Sequence, residues 1–520
     1  MNPILQRASL MLLFSPWALS VSQAQTPNPP ETSAPVPAVE KPAPPPGEGS
    51  PVPALTPPLV DSIAALQSRL SVAAPGDTII LKNGSYTVSA LINIRCRGTA
   101  DRPITIAAES IGGVEITGAH GFKASAPAEH IVISGFKFTH AAGRAQIADG
   151  TRHVRLTRNT FQCTGEGHDL TVAGDDAQVD HNDFGPKKFP GTMIAVSGTG
   201  SQVARGLWIH HNYFHDFEND GGSGAEMLRV GLLSSHRTSV GATRVEHNLF
   251  ARCRGVNDLI SNRSSGNTFR YNTFIESPTA HLTVRQGNDC AIYGNIFRNT
   301  EGIRLYGDRH QVFSNYLESN YVAIAIGNGT AEISELGDAA PPNSHDRPDG
   351  CVIAFNTLVD NNTHYQMSRR PGEALGATNT TFAHNVLQGG AVAAKIDGPN
   401  TGAIWSDNVA WNVAKLRDLP AEGQTVSDPL LAADGTGIKR PQTGSPVIAA
   451  AKESFPFVTV DVDGQPRPEK KSLGADEPGA SGIVARLLST DDVGPAANLA
   501  VRETTMPTNR NPEPATPAVP

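Results

Sequence analysis

The feature that most constrains the fold is an Asn-x-Phe unit that recurs at a short, regular interval. Units begin at Asn248, Asn272 and Asn295, so that consecutive units lie 23 or 24 residues apart. Related Asn-x-apolar units carry the repeat across the chain, at Asn159, Asn182, Asn212, Asn315, Asn356, Asn385 and Asn408. Each unit follows a short apolar run, which is the pattern of a short strand entering a turn. A repeat of this length, with few helices, predicts a parallel β-helix.

We therefore predict an all-β fold, a single-stranded right-handed parallel β-helix, over residues 59–477. The repeated asparagines would stack to satisfy the turn backbone, and the Phe and Leu that follow them would fill the interior. Ser62 can cap a short helix from Ile63 to Leu70. Such a helix would cover the first coil, whose strand edges would otherwise be exposed.

The two ends of the chain differ from the repeat in composition. Residues 1–24 combine Arg7, an apolar run and a small-x-small site ending at Ala24, which is typical of a secretory signal peptide. This predicts a secreted or periplasmic protein without stable membrane insertion. Residues 25–58 are a Pro-rich segment expected to act as a linker, and residues 478–520 a Pro- and Ala-rich segment expected to be disordered.

Charge and cysteine content narrow the class of partner. The formal net charge is −8, which disfavours a nucleic-acid partner held by overall attraction. An acidic partner would instead need a local basic site. The five cysteines include no Cys-x-x-Cys pair, so we expect small buried apolar side chains rather than a zinc site or a disulfide framework. We also expect a monomer.

Arginines at similar positions between the Asn units supply such a basic site. Arg263 and Arg285 each precede the next unit by a similar distance, and Arg304 lies a further coil along. Residues one period apart share a face of a β-helix, so these side chains should be neighbours suited to gripping carboxylates or sulfates. Longer gaps between units predict inserted loops that wall this groove, at residues 185–206, 215–245 and 329–350.

Several motifs in this region resemble a known family. They are Asn248-Leu249-Phe250, Leu259-Ile260-Ser261-Asn262, Leu282-Thr283-Val284-Arg285 and Gly302-Ile303-Arg304. Together they resemble polysaccharide lyase family 6, the alginate lyases and chondroitinase B, and the resemblance covers most of residues 59–477. It implies cleavage of an acidic polysaccharide by β-elimination. Alginate is the first expectation for the substrate, and a chondroitin- or dermatan-type glycosaminoglycan is the alternative.

The resemblance also implies roles for individual residues. Arg285 falls on the family's acid, which protonates the departing 4-oxygen, and Arg263 occupies the position of the family's Lys base. Side chains expected to contact substrate are Arg229, His236, Gln286 and Arg304. Glu226 is expected to pair with Arg229 and to support the site.

Calcium on the substrate carboxylate is part of the family pattern, but its ligands are altered in this chain. The two family carboxylates become Val256 and Asp258, and the family's Asn becomes Ser223. Calcium takes six to eight oxygen ligands, so that Asp258 alone makes a poor site. We therefore expect no metal and no other cofactor.

Arg263 leaves other functions open, because a guanidinium is a poor general base. Pectate lyases, built on a similar helix, are nevertheless assigned an Arg base. The alternatives are a catalytically inactive carbohydrate-binding β-helix protein and a glycoside hydrolase. A hydrolase needs two or three carboxylates on one face, and the arginine coils offer only Asp258 and Asp289. Unsaturated products would distinguish a lyase from both.

Overall fold

A computed structural model describes residues 59–218, 224–254, 257–333, 339–341, 344–369, 372, 374–479 and 485–497. The predicted signal peptide and the predicted linker lie outside the described residues. Within the part of the chain that the structure describes, no helix is long and apolar enough to cross a membrane.

Three long parallel sheets form the body of the fold, and each coil adds one strand to sheet one, then to sheet three, then to sheet two. Sheet one is built from Leu59–Val60, Thr78–Leu81, Ile104–Ala108, Glu129–Ser134, Arg152–Thr157, Gln178–Asp180, Trp208–His210, Arg244–Glu246, Thr268–Arg270, Ala291–Tyr293, Gln311–Phe313, Val352–Ala354, Thr381–Ala383 and Ile404–Ser406. Sheet two is built from Ile92–Ile94, Phe122–Ala124, Gln146–Ile147, Leu170–Val172, Ile194–Val196, Leu228–Val230, Asp258–Asn262, His281–Val284, Ile303–Leu305, Val322–Gly327, Thr363–Ser368, Val392–Ile396 and Lys415–Arg417.

In each coil, the strand of sheet three follows the strand of sheet one and precedes the strand of sheet two. It is built from Gly84–Val88, Val114–Gly118, Phe136–Phe138, Thr160–Phe161, Asp183–Phe184, Tyr213–His215, Leu249–Ala251, Thr273–Ser277, Ile296–Thr300, Tyr316–Glu318, Thr357–Val359, Val386–Gln388, Asn408–Trp411 and Gln424–Val426. Apart from the N-terminal helix, the other elements of the described residues are two antiparallel hairpins and two 3-10 helices. The hairpins are Gly198–Thr199 with Gln202–Val203 and Leu431–Ala433 with Lys439–Pro441, and the 3-10 helices are Ser234–Thr238 and Ala421–Gly423. The predicted parallel β-helix is confirmed.

The repeated asparagines form one continuous ladder between sheets one and three. From Asn159 to Asn408, each side-chain Nδ2 donates a hydrogen bond to the Oδ1 of the Asn one coil along, at 3.0 Å. The apolar residue two positions later points inward. The rings from Phe161 to Phe297 stack in the interior, with centroids 4.5–5.1 Å apart. The Asn-x-apolar unit therefore supplies both the turn and the core.

The predicted N-terminal helix covers the first coil. It runs Ile63–Val72, and Ser62 Oγ accepts a hydrogen bond from the Ala65 backbone amide at 3.2 Å, as expected for an N-cap. Leu66 and Leu70 are its buried residues. All five cysteines are free thiols, which agrees with the expected absence of a disulfide framework.

The C-terminal part of the chain lies outside the stacked coils. The coils end at Gln424–Val426, within the domain predicted for residues 59–477. The following segment packs on the outside of sheet three, where Ile438 and Val462 contact a cluster that includes Tyr316. Residues 485–497, expected to be disordered, continue this packing against Leu249. The physical reason is that the outer face of sheet three carries apolar side chains that this segment removes from water.

Candidate active site

The outward face of sheet two brings the predicted arginines together through strand register. Asn262 pairs with Val230 on one side and with Val284 on the other, and Val284 pairs with Leu305. The residues that follow these four therefore stand in a line across adjacent coils. We call this line the arginine row, and it consists of Gly231, Arg263, Arg285 and Tyr306. Arg263 and Arg285 are neighbours in it, as the repeat predicts.

Arg304 does not extend this row, which corrects the expectation that it repeats Arg263 and Arg285 one coil further. Arg304 pairs in register with Thr283, two residues before Arg285, and the next member of the arginine row is Tyr306. The line two positions earlier, here called the strand row, consists of Arg229, Ser261, Thr283 and Arg304. Alternate residues of a strand share a face, so both rows face outward. Four arginines consequently share one surface.

Asp258 is clamped between two of these arginines. Its Oδ2 accepts a hydrogen bond from Arg285 Nη2 at 2.8 Å, and its Oδ1 accepts one from Arg304 Nη2 at 2.5 Å. Thr283 Oγ1 also donates to Oδ1 at 2.7 Å. Burial would raise the pKa of this carboxyl group, but the two guanidiniums and the hydroxyl outweigh burial and lower it. Asp258 is therefore a fixed anion.

Arg263 has a different environment, although it is next to Arg285. Among the described residues, no carboxylate lies within ion-pair distance of its guanidinium. Burial lowers the pKa of Arg263 to about 10, and the positive charges of Arg229 and Arg285 add to this effect. The pKa of Arg285 is instead raised, because the attraction of Asp258 exceeds the effect of its burial. The site thus holds one tightly paired arginine and one that loses its proton more readily than an ordinary arginine.

The expected pair between Arg229 and Glu226 is present. Arg229 Nη2 donates to Glu226 Oε1 at 3.0 Å, and the carboxylate is mostly buried. This contact supports the site from the coil before Arg263.

Three residues expected to contact substrate are buried. Arg304 is 7% exposed, and the other two lie beneath the inserted loops. His236 lies in the 3-10 helix Ser234–Thr238 and is 0% exposed. Gln286 is 2% exposed and its Nε2 donates to the Ser344 carbonyl at 3.1 Å, which anchors the inserted segment to the arginine row. Both side chains follow strands of sheet two, so the sequence places them near the cleft. It does not show that the inserted loops cover them.

The inserted loops meet each other through a residue that the repeat does not reveal. Arg237 Nη2 donates to the Ala340 carbonyl at 2.7 Å, and its Nη1 donates to the Pro341 carbonyl at 3.1 Å. Further along, the rings of Tyr306 and His345 stack with centroids 4.3 Å apart. These contacts join the described parts of the inserted loops to one another and to the arginine row. Loop contacts of this kind leave no periodic signal in the sequence.

Calcium does not fit the described part of this site. The expected substitutions at Ser223 and Val256 lie outside the described residues. Asp258, the remaining carboxylate of the family pattern, has both oxygens occupied by guanidinium donors. A cation there would also stand beside two positive charges, whereas calcium needs six or more oxygen ligands.

Comparisons with known proteins agree with this architecture. No curated protein sequence matches the chain. A structure of a single-residue variant of the PL6 family alginate lyase AlyGC matches with 25% identity and a TM-score of 0.68, covering 84% of this chain and 58% of that chain. This chain thus spans less than two thirds of the AlyGC structure.

More distant structures share the fold. One is a mannuronic acid specific polysaccharide family 6 lyase from human gut microbiota, with 24% identity and a TM-score of 0.56, covering 67% of this chain and 84% of that chain. Another is the PL6 family polysaccharide lyase Pedsa3628 from Pseudopedobacter saltans, with 17% identity and a TM-score of 0.58, covering 84% of this chain and 99% of that chain. The sequence profile described as Chondroitinase B matches residues 60–378, more than half of the chain. The chain therefore belongs to the chondroitinase B family.

Proposed function

We propose that this protein is an exported polysaccharide lyase that cleaves a uronate-containing polysaccharide, alginate in the first place, by β-elimination. The observation that carries the proposal is the pair of neighbouring arginines, Arg263 and Arg285, on the open face of sheet two within the family match. The AlyGC relative, an alginate lyase, supports alginate as the substrate. A chondroitin- or dermatan-type glycosaminoglycan is the second candidate, supported by the family description.

The reaction needs three contributions from the site. A base removes the proton at C5 of the uronate, and the electron pair of that C–H bond forms the C4–C5 double bond. The bond from C4 to the glycosidic oxygen breaks, and an acid protonates that oxygen as it leaves. Positive groups near the uronate carboxylate stabilise the negative charge that develops there. The products are a new chain end and an unsaturated uronate.

Arg263 is proposed as the base. Its pKa of about 10 lies below that of an ordinary guanidinium, because the side chain is buried and has two arginines nearby. The neutral form is therefore more accessible here than in a solvated arginine. Closure of the site on the polymer would remove further water and reduce solvation of the charged form.

Arg285 is proposed as the acid and as a carboxylate-binding group. The hydrogen bond to Asp258 keeps it charged and fixes its orientation, while the side chain remains 27% exposed. It therefore has donors free to reach a leaving oxygen. Arg229 is proposed to bind substrate on the other side of Arg263, one coil earlier. Gln286 and His236 are proposed as supporting residues of the wall.

The alternative from another functional class is a carbohydrate-binding protein without activity, which the replacement of a Lys base by Arg263 favours. A glycoside hydrolase is disfavoured, because Asp258 and Glu226 are each ion-paired with arginine and Asp289 pairs with Arg309 on an exposed surface. A signal peptide at residues 1–24 would place the protein where such polymers occur. A monomer is sufficient, since one chain supplies every residue used here.

The proposal is tested by incubating the purified protein with a panel of uronate polymers and following the ultraviolet absorbance of unsaturated products. We expect cleavage of alginate, with loss of turnover in Arg285→Ala. Arg309→Ala is the matched control, because Arg309 pairs with Asp289 on the exposed surface. Binding of uronate oligomers without unsaturated product on any polymer would identify the inactive binding protein instead. If Arg263→Lys then acquired activity, the missing base would be the cause.

A further inference from the structure

Asp258 is a buried carboxylate whose hydrogen-bond partners are two arginines and a threonine. The side chain is 2% exposed, and its two oxygens accept from Arg285, Arg304 and Thr283. A buried carboxylate requires partners of this kind, since an unpaired buried charge is strongly unfavourable. Three of the roughly four acceptor positions of this carboxylate are taken by protein donors. Two of these donors are cationic, which disfavours a metal ion at the same oxygens.

Arg304 has the properties of a fixed cation. Its side chain is only 8% exposed, and it rises from the middle of the strand Ile303–Leu305 rather than from a loop. A guanidinium remains charged throughout the physiological pH range. Its Nε, like that of Arg285, is buried without a hydrogen-bond partner among the described residues. The positive charge of Arg304 is therefore held in place by a strand of sheet two and by Asp258.

The contacts of Asp258 link this arrangement to the altered family pattern. In that pattern two carboxylates surround a calcium ion. In this chain one carboxylate has become Val256, and the remaining one, Asp258, pairs with Arg304 and Arg285. The three described side chains carry a net charge of +1. The Arg304 guanidinium therefore binds the carboxylate oxygen that a calcium ion would need.

We propose that Arg304 takes the electrostatic role of the metal ion in this site, and that Asp258 is a positioning residue for Arg304 and Arg285 rather than a metal ligand. The proposal rests on the proposed lyase function for the identity of the ligand, an anionic uronate. Arg304 stabilises the negative charge of the uronate carboxylate from below, which leaves Arg285 available to the leaving oxygen. The site consequently needs no divalent ion.

The first test concerns the metal and does not depend on activity. Calcium chloride is titrated into the full chain by calorimetry, and the melting temperature is measured with calcium and with a chelator. We expect the titration to show no saturable heat of calcium binding. We expect the melting temperature to be the same with calcium and with the chelator. A saturable calcium site that is lost in Asp258→Asn would overturn the proposal. Turnover abolished by chelator and restored by calcium would also overturn it.

The second test concerns the charge of Arg304. Binding of saturated uronate oligomers is measured by calorimetry for the wild type, Arg304→Gln and Arg304→Lys. We expect Arg304→Gln to weaken binding about ten- to a hundredfold, the range for a charge-assisted contact. Arg304→Lys should keep most of the affinity because it keeps the charge. Equal binding by all three proteins, each with a wild-type melting temperature, would refute the role of Arg304.

The third test separates positioning from a general structural effect. Asp258→Asn keeps the shape of the side chain but removes its charge. We expect kcat to fall because Arg285 loses its orientation, and oligomer binding to weaken less than in Arg304→Gln because the charge of Arg304 remains. We expect Asp258→Glu to restore part of kcat. A loss in Asp258→Asn that follows only the melting temperature would contradict a positioning role. If the wild type cleaves no polymer, the lyase proposal fails, whereas the calcium and oligomer titrations still decide the role of Arg304.

Discussion

Arg263 and Arg285 are neighbours on adjacent coils, but only Arg285 donates a hydrogen bond to a carboxylate, that of Asp258 at 2.8 Å. This asymmetry moves their pKa values in opposite directions. The pKa of Arg285 is raised and that of Arg263 is lowered to about 10. Two residues of the same type can therefore divide acid and base roles, because Arg263 loses its proton more readily than Arg285.

The first prediction is a pH dependence of turnover set by Arg263. A base must be neutral to accept a proton, so kcat/KM on alginate should rise with pH until it approaches the pKa of about 10. Arg263→Lys should shift this rising limb to lower pH, because an amine loses its proton more readily than a guanidinium. The measurement is the initial rate of unsaturated-product formation from pH 6 to 10. A profile that is identical in both proteins would exclude Arg263 as the base.

The second prediction concerns Gly231, which stands beside Arg263 in the arginine row. Its φ is +92°, and a Cβ there would lie 3.2 Å from the Cβ and the carbonyl of Arg263. Gly231→Ala should therefore displace Arg263 and lower turnover with a smaller effect on oligomer binding. Gly479→Ala is the control, since Gly479 has φ +87° with no neighbouring atom within 4 Å. Equal losses of activity in the two variants would attribute the effect to backbone strain alone.

Much of the scaffold could be predicted from the sequence, because one short unit performs two repeated tasks. The Asn of each unit forms the ladder and the apolar residue two positions later fills the core, so that a period of about 23 residues determines both. The same period places Arg263 beside Arg285. It does not determine a position within a coil to better than two residues, which is why Arg304 was expected in the wrong row.

The remaining parts depend on contacts between segments far apart in sequence. Burial of His236 and Gln286 results from loops that are not periodic, and Arg237 joins these loops through backbone carbonyls. The packing of residues 485–497 also escaped prediction, because a few apolar side chains in a Pro- and Ala-rich segment suffice to hold it. Leu488 and Val493 provide these contacts against Leu249.

The third prediction concerns the Asn ladder. Asn272 Oδ1 accepts from the backbone and side-chain amides of Asn248, and its Nδ2 donates to Asn295. Asn272→Ala would leave several buried polar groups unpaired, at a cost of about 1–3 kcal/mol each. We expect a clear fall in the melting temperature by calorimetry. The exposed Asn362→Ala should change it little, and an equal fall in both would argue against the ladder as a source of stability.

The last prediction concerns Glu301, which lies half-buried at the corner before the strand that carries Arg304. Burial raises its pKa to about 7, and the positive charge of Arg304 offsets only part of this effect. The nearest basic group is His281, whose Nε2 lies 3.8 Å from Glu301 Oε2. At pH values between the ordinary pKa of a glutamate and about 7, Glu301 is more protonated in the folded protein than in the unfolded chain. Stability should therefore fall as pH rises through this window.

Glu301→Gln removes this penalty, because a neutral amide replaces the carboxylate. At pH 8 the variant should be more stable than the wild type by about 1–3 kcal/mol. At pH 4, where Glu301 is mostly protonated in both the folded and the unfolded state, the difference should be close to zero. Melting temperatures at the two pH values provide the measurement. The exposed Glu166→Gln serves as the control and should show no such pH dependence. A stabilisation of Glu301→Gln that is equal at both pH values would mean that packing, and not ionisation of Glu301, is responsible.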